Sequence, residues 1–376
     1  MTRETYLQSY RIRFLVTGGA GFIGSHLCET LLENEHFVVA LDNLQTGSLR
    51  NIQHLLGHPN FLFVKDSVLN EPVLSKYMGM CDIAIHLAAA VGVKYILDNP
   101  MESLAVNIGG TEKLLAKAAY FRKRVFLAST SEVYGKQSGD VLRETDDLRI
   151  GPTNVFRWSY ACSKALDEFM ALAYARTHGL PVVVGRFFNT VGPRQVSQYG
   201  MVIPRFVERA LTGQPIEIHG DGTQSRTFTH VKDAVNSVYR LVMSPAGWGQ
   251  VFNIGGPQTA SINQLAQTVV AKTGSKSALK HIPYSQVYGK DFEDMHKRIP
   301  CLDKLASVIG SIPSRGLSEI LDDVIAEKRR LLEETSETSE TPAAAALADP
   351  AAVPRGTPVA DEPVAELSEE LELAAH

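Results

Sequence analysis

A run of glycines placed between a strand and a helix constrains this chain more than any other feature. "RFLVT", residues 13–17, reads as a buried strand and runs directly into "GGAGFIGSHL", which opens an amphipathic helix. Gly18, Gly21 and Gly24 recur at every third position where the strand turns into the helix. Such a turn lets the backbone close on a pyrophosphate over the helix N-terminus, with Phe22 and Ile23 in the first helical turn beside it. Five further apolar runs follow: "FVVAL" (37–41), "FLFV" (61–64), "IAIHL" (83–87), "VFLA" (125–128) and "VVVG" (182–185). Helical patterns such as "MESLAVNIGGTEKLLAKAAYF" and "SYACSKALDEFMALAYART" lie between several of them. Apolar strands alternating with helices predict a doubly wound α/β domain whose parallel sheet is covered on both faces.

The second of these runs ends at Asp42, eighteen residues after Gly24. A carboxylate there can hold both hydroxyls of an adenosine ribose and would repel a 2′-phosphate, and no arginine directly follows it. This favours NAD over NADP. Asp42 and Asn43 also read as turn residues of "LDNLQTGS", and both readings stand on sequence alone.

Beyond about residue 190 the texture changes to shorter elements with many Gly and Pro breaks. "VIPRFVERALTG", "VKDAVNSVYRLVM" and "SINQLAQTVVAKTG" read as helices, "QSRTFTHV" and "VFNIGG" as strands. The expected organisation is a dinucleotide-binding domain over residues 1–190 and a substrate-binding lobe over 191–332, with some segments returning to the main sheet. A disordered acidic tail is expected over 333–376, because that stretch has too little apolar surface to offset its ordering entropy. The tail holds eleven acidic residues and one arginine, so the net charge of −4 hides an excess of about +6 on the rest of the chain. That suits an anionic small molecule, and no basic run suggests nucleic acid. No apolar run is long enough to span a membrane, and the opening residues carry no secretory pattern. Cys28, Cys81, Cys162 and Cys301 form no C-x-x-C pair, which argues against a zinc site or a disulfide framework and fits the cytoplasm. No metal is expected, and Cys162 is expected to pack within its helix.

The second constellation is chemical. "STSEVYG" (129–135) sets Thr130, Ser131 and Glu132 at the end of a strand, and "YACSK" sets Tyr160 and Lys164 four apart on a helix. An isolated tyrosine titrates near pH 10. A neighbouring ammonium and a positive nicotinamide ring would both lower that value and make Tyr160 a general base. Glu132 also reads as a capping carboxylate.

With the glycine motif, Tyr160-x-x-x-Lys164 makes residues 12 to about 330 resemble the extended short-chain dehydrogenase/reductase family. The resemblance implies that Leu87, Ala88 and Ala89 of "HLAAAVGV" underlie the nicotinamide, and that Asp66 and Ser67 of "VKDSV" meet adenine. It also makes Asn107 the family's structural asparagine and has Tyr160 and Lys164 contact the cofactor. "RFFNTVGPR" and "GDGTQSRTFTHVKDA" resemble the nucleotide-sugar branch, which implies a UDP-sugar held by Asn189, Arg194, Arg205, Arg226 and Arg298. "STSEVYG", "IGPTNVFRWSYACSK" and "VYGKDFEDMHKRIP" together look most like UDP-glucuronate decarboxylases, which give UDP-xylose through a 4-keto intermediate. "FFNTVGPRQ…YGMVIPRF" also resembles UDP-sugar 4-epimerases, so inversion at C4 is the alternative. A non-catalytic NAD-binding regulator is a third, and the intact Thr130, Tyr160 and Lys164 argue against it. The resemblance further implies a homodimer formed through the helices near 100–122 and 159–178.

Overall fold

The computed structural model describes residues 11–137, 139–197, 201–288 and 297–340. Six strands come from the first half: β1 (Arg13–Thr17), β2 (Phe37–Asp42), β3 (Phe61–Lys65), β4 (Ile83–His86), β5 (Arg124–Thr130) and β6 (Val182–Phe187). A seventh, Gln250–Ile254, returns from far along the chain to pair with β6. Every pairing is parallel, and the order across the sheet is Gln250–Ile254, β6, β5, β4, β1, β2, β3. The chain winds outward from β1 through β2 and β3, then crosses back to lay β4 on the other side of β1. A crevice must open beyond the C-terminal ends of β1 and β4, where the winding reverses.

Side-chain alternation along the strands feeds two cores. Phe14, Val16, Val38, Ala40, Ile83, Ile85 and Phe126 face α1 (Phe22–Glu33) and the helix Val231–Met243. Leu15, Val39, Leu41, Ala84, Val125 and Leu127 face α2 (Gly110–Tyr120) and α3 (Trp158–His178). Burial on both faces is why these strands read as continuous apolar runs. A third core joins Ile203, Phe206 and Val207 to Ile216, Ile218, Leu265 and Val269, and to Ile320, Leu321 and Val324 of the long final helix. Helix Ile262–Thr273 begins with a reciprocal cap, Ser261 accepting from Gln264 N while the Gln264 side chain accepts from Ser261 N.

Three local readings change. The stretch read as one helix over 101–121 carries a π-helical turn, Ala105–Gly109, whose extra residue turns Asn107 inward. "QSRTFTHV" is two short strands, because its halves have different partners: Ser225–Thr227 pairs with Thr259–Ser261, and Thr229–His230 with Thr190–Val191. The first eight residues of the stretch expected as a tail from 333 are helical, as the end of helix Leu317–Glu340. Propagating a helix adds one backbone bond per residue and needs no burial. Residues 341–376 of the expected tail lie outside the described residues, as do 289–296 of the "VYGKDFEDMHKRIP" segment. Among the described residues, no helix is long and apolar enough to cross a membrane.

Candidate active site

Two hollows open near the crevice. The smaller, about 50 Å³, lies against the ends of β1, β2 and β4 and is lined by Gly18, Asp42, Asn43, Asp66, Ser67, Ala88 and Ala89, among others. Its floor is backbone. Gly18 has φ +72° and its absent Cβ would sit 2.8 Å from Ala88 N, while a Cβ on Gly24 would fall 2.0 Å from Gly18 O. No L side chain fits either place without moving main chain. Gly21 makes the turn itself, donating to Gly18 O and accepting from Ser25 N. Helix α1 then begins at Gly21, which has no side chain to cap it, and carries no acidic residue in its first turn, so the positive end of its dipole is open to an anion.

Asp42 does both things the sequence allowed. Its carboxylate lines the hollow and also braces the turn, accepting from Ala20 N at 3.0 Å and Leu44 N at 2.8 Å. Burial raises its pKa, and backbone hydrogen bonds from Leu44, Ala20 and Gly21 oppose that rise. Asn43 accepts from Gln45 N, and Asp66 accepts from Ser67 N and from the Asn70 amide. Of the residues expected on the cofactor, Gly21, Lys164, Leu87 and Asn107 line neither hollow. Leu87 packs toward the first core, and Asn107 is buried, its side chain accepting from Ala90 N and donating to Ala90 O. Asn107 therefore pins the loop that carries Ala88 and Ala89. A uncapped helix start, two obligatory glycines and a buried carboxylate at the end of β2 fit a dinucleotide.

The larger cavity, about 400 Å³, is lined by side chains from segments far apart in sequence. Phe22 and Ile23 reach it from α1, Thr130, Ser131 and Glu132 from the end of β5, Tyr160 from α3, and Asn189, Arg205, Arg226 and Arg298 from the second half. Thr130 accepts from Glu132 N at 3.2 Å, and its hydroxyl lies near that of Tyr160 and favours the phenolate. Glu132 faces Arg298 at 3.4 Å. Asn189, at φ +28°, straddles the break between the two short strands: it donates to Thr227 O and accepts from Thr229 N. Arg205 Nη1 lies 3.0 Å from His219 Nε2, and Arg226 donates to Ser225 O at 2.9 Å.

Two expectations are corrected. Arg194 does not reach the cavity; its guanidinium binds Glu29 and Ser25 of α1, and its backbone N–H donates to Glu327. An acidic partner on α1, far away in sequence, holds it outside the cavity lining. Lys164 shares a helix face with Tyr160 but does not line the cavity. Its ammonium is buried and donates to the fully buried Asp167 at 2.8 Å, as a buried charge requires a partner. The tyrosine shift also differs from expectation. Burial pushes the Tyr160 pKa up, Glu132 and Asp167 push it further, and the Thr130 hydrogen bond opposes them. The protein alone keeps Tyr160 protonated. His86, at the end of β4, is driven down to about 3 by burial and by Lys164, so it is neutral, with Nδ1 2.7 Å from Thr17 Oγ1.

Sequence reading missed Asp167, Arg157 and Gln224. Asp167 was legible as a carboxylate one turn beyond Lys164, and Arg157 as a cation three residues before Tyr160. Gln224 donates to His219 O and Tyr284 Oη in the cavity wall, a pairing of segments with no local signal. Cys162 is exposed rather than packed.

A seven-stranded parallel sheet with a glycine turn at its reversal point and a Thr–Tyr pair in the adjoining cavity is the arrangement of nucleotide-dependent oxidoreductive enzymes. Residues 14–255 match the NAD dependent epimerase/dehydratase family, and the chain belongs to it. It is 38% identical over 314 residues to the UDP-N-acetyl-alpha-D-glucosaminuronate decarboxylase of Bacillus cytotoxicus, covering 83% of this chain and 96% of that one. It is 33% identical over 342 residues to UDP-glucuronic acid decarboxylase 1 of Danio rerio, covering 88% and 76%. The structure of the UDP-glucuronic acid 4-epimerase of Bacillus cereus with UDP-glucuronic acid and NAD is similar at a TM-score of 0.77 and 29% identity, covering 85% of this chain and all of that one. The protein is thus an NAD-dependent enzyme of this family.

Proposed function

We propose that this enzyme decarboxylates a UDP-linked uronic acid, with UDP-glucuronate giving UDP-xylose. The observation that carries the reading is the Glu132–Arg298 pair in the same cavity lining as Tyr160 and Thr130, supported by two relatives named as uronate decarboxylases. Gly18, Gly24, Asp42, Asp66 and the 88–89 loop would hold NAD, which supplies a hydride acceptor for the sugar C4 and a positive ring that lowers the Tyr160 pKa. Residues 1–190 would serve the cofactor and 191–332 the UDP-sugar, with Asn189, Arg205 and Arg226 toward its diphosphate and nucleoside.

Tyr160 takes the proton of the 4-hydroxyl, and Thr130 orients the pair. Lys164, locked to Asp167, fixes the helix face from below. Once C4 is a ketone it lies β to the carboxylate, so the C5–C6 bond can break with its electrons spread onto the C4 oxygen. Carbon dioxide leaves, and Arg298 stabilises the developing negative charge. Glu132, with Ser131 beside it, manages the proton that C5 gains. Tyr160 then returns its proton as C4 is reduced. The similarity to the Bacillus cereus 4-epimerase supports a second reading, in which the 4-keto sugar turns over and is reduced on its other face. Incubation with UDP-glucuronate separates them: carbon dioxide and UDP-xylose support decarboxylation, whereas UDP-galacturonate without carbon dioxide supports epimerisation.

A homodimer is proposed on a specific face. Leu166 and Phe169 of α3 stand exposed, and Met101 and Tyr120 stand exposed at the two ends of the run 100–120. Large apolar side chains on neighbouring helices favour a self-complementary pairing with a second copy. Light scattering at micromolar concentration should give twice the chain mass, and Phe169→Glu should return it to a monomer. The four unpaired cysteines support a reducing compartment such as the cytoplasm.

A further inference from the structure

Three side chains at the exposed edge of the smaller hollow form a ring that the proton transfers do not use. Gln45 lines the hollow from the loop after β2, and Tyr95 lines it from the short helix Val93–Asp98. The Gln45 amide donates to Tyr95 Oη at 2.8 Å and to Glu102 Oε1 at 2.5 Å, and Tyr95 Oη donates to Glu102 Oε2 at 3.0 Å. Each group is thus held by two contacts, and one carboxylate accepts twice. Hydrogen bonds to an ionised acceptor are the stronger kind. Gln45 and Glu102 are exposed, so the ring belongs to the outer rim of the hollow and not to its floor.

Unusual backbone delivers both arms. Leu44, next to Gln45, holds φ +63°, a conformation leucine rarely adopts, and its N–H donates to Asp42 Oδ1 at 2.8 Å. Asn43 then fixes Gln45 twice, accepting from its backbone N–H at 3.1 Å and donating to its side-chain oxygen at 3.4 Å. On the other arm Gly92, at φ +101°, precedes the helix, which places Tyr95 in the lining of the small hollow and Ile96 in that of the large cavity. A surface hydrogen bond needs no strained residue beside it, so a left-handed leucine that delivers an amide to a tyrosine–carboxylate pair points to a task.

We propose that Gln45, Tyr95 and Glu102 form a clasp that closes over bound NAD and retains it between turnovers. The clasp rests on the cofactor placement above and holds for either fate of the 4-keto sugar. Both routes oxidise C4 and then reduce it, so one dinucleotide has to serve both steps, and its loss between them would strand the ketone. Opening the clasp breaks hydrogen bonds that water can replace, the low-cost kind of opening that binding loops use. These are positioning residues, which act through one another and take no part in proton transfer.

The test is release of NAD from the full-length enzyme, loaded with isotope-labelled NAD and chased with excess unlabelled NAD. Tyr95→Phe keeps the ring and removes only the hydroxyl, and Gln45→Ala removes the amide. Each should speed release about three- to tenfold, the range expected for one lost hydrogen bond, with the association rate and the melting temperature of the NAD-free protein unchanged. The double variant should release NAD no faster than the faster single variant, because either change opens the same ring. Glu102→Gln, which keeps the shape and gives up the charge, should fall between the parent and Tyr95→Phe. Unchanged release in both single variants, or single effects that multiply in the double variant, overturns the clasp. A parent that takes up no NAD in the loading step overturns the cofactor placement itself.

Discussion

The two hollows are built from opposite materials. The small one is a backbone site: its shape comes from a single strand-to-helix turn, and one carboxylate, Asp42, both lines it and braces the turn. The large one is a side-chain site, assembled from α1, the end of β5, the start of α3 and a series of short strands reaching to Arg298. The first tolerates almost no added atom; the second depends on which charges face one another. A backbone site fixes that a dinucleotide binds, and the chemistry that follows is decided across the boundary between them.

If that contrast is right, substitutions in the two hollows should fail differently. The largest effect should come from the cavity. Tyr160→Phe should cut turnover by about a hundredfold to ten-thousandfold while leaving the fold and NAD affinity intact, measured by steady-state rates beside cofactor titration. Activity within about tenfold of the parent would remove Tyr160 from the relay.

Next comes the backbone hollow. In Gly24→Ala the new methyl meets Gly18 O at 2.0 Å, and the partner atom is main chain that cannot swing aside. Loss of about 1–3 kcal/mol of stability is expected, the usual cost of overpacking, together with loss of NAD binding. Thermal unfolding with and without NAD checks both. A variant that keeps the parent's melting temperature and affinity would show that the turn is looser than its geometry indicates.

The smallest effect lies behind the cavity lining, at the buried Asp167 of α3. Its carboxylate raises the Tyr160 pKa, after burial and Glu132, and Tyr160 must lose its proton to act as the base. A raised pKa places the acid limb of the rate profile at higher pH, so Asp167→Asn should move that limb to lower pH. The kcat/KM profile reads this directly. A limb that stays in place, or moves upward, would mean that Asp167 holds the helix without tuning the tyrosine.

The same contrast explains what the sequence made legible. Strands β1, β2, β4, β5 and β6 were readable because burial on both faces leaves an uninterrupted apolar run, the half-buried edge strand β3 because it is apolar all the same, and the glycine turn because its spacing is local. Thr130, Ser131, Glu132 and Tyr160 were readable for the same reason, each within a short motif. That Arg194 pairs with Glu29 instead of lining the cavity could not be read, because the contact joins residues 165 apart in sequence. Lys164 was placed in the cleft because helical spacing says which face a residue occupies, not which buried carboxylate shares it. Arg157 escaped because stacking on Trp158 against Gly151 is a packing event with no spacing of its own.

The central claim is that this cavity breaks the bond between C5 and the carboxylate and then protonates C5. The most direct measurement is turnover of UDP-glucuronate labelled with carbon-13 at C6, run in deuterium oxide and followed by NMR. The account predicts labelled carbon dioxide or bicarbonate, with UDP-xylose carrying one solvent deuterium at C5. Label retained in a C4 epimer whose C5 hydrogen has not exchanged would contradict it.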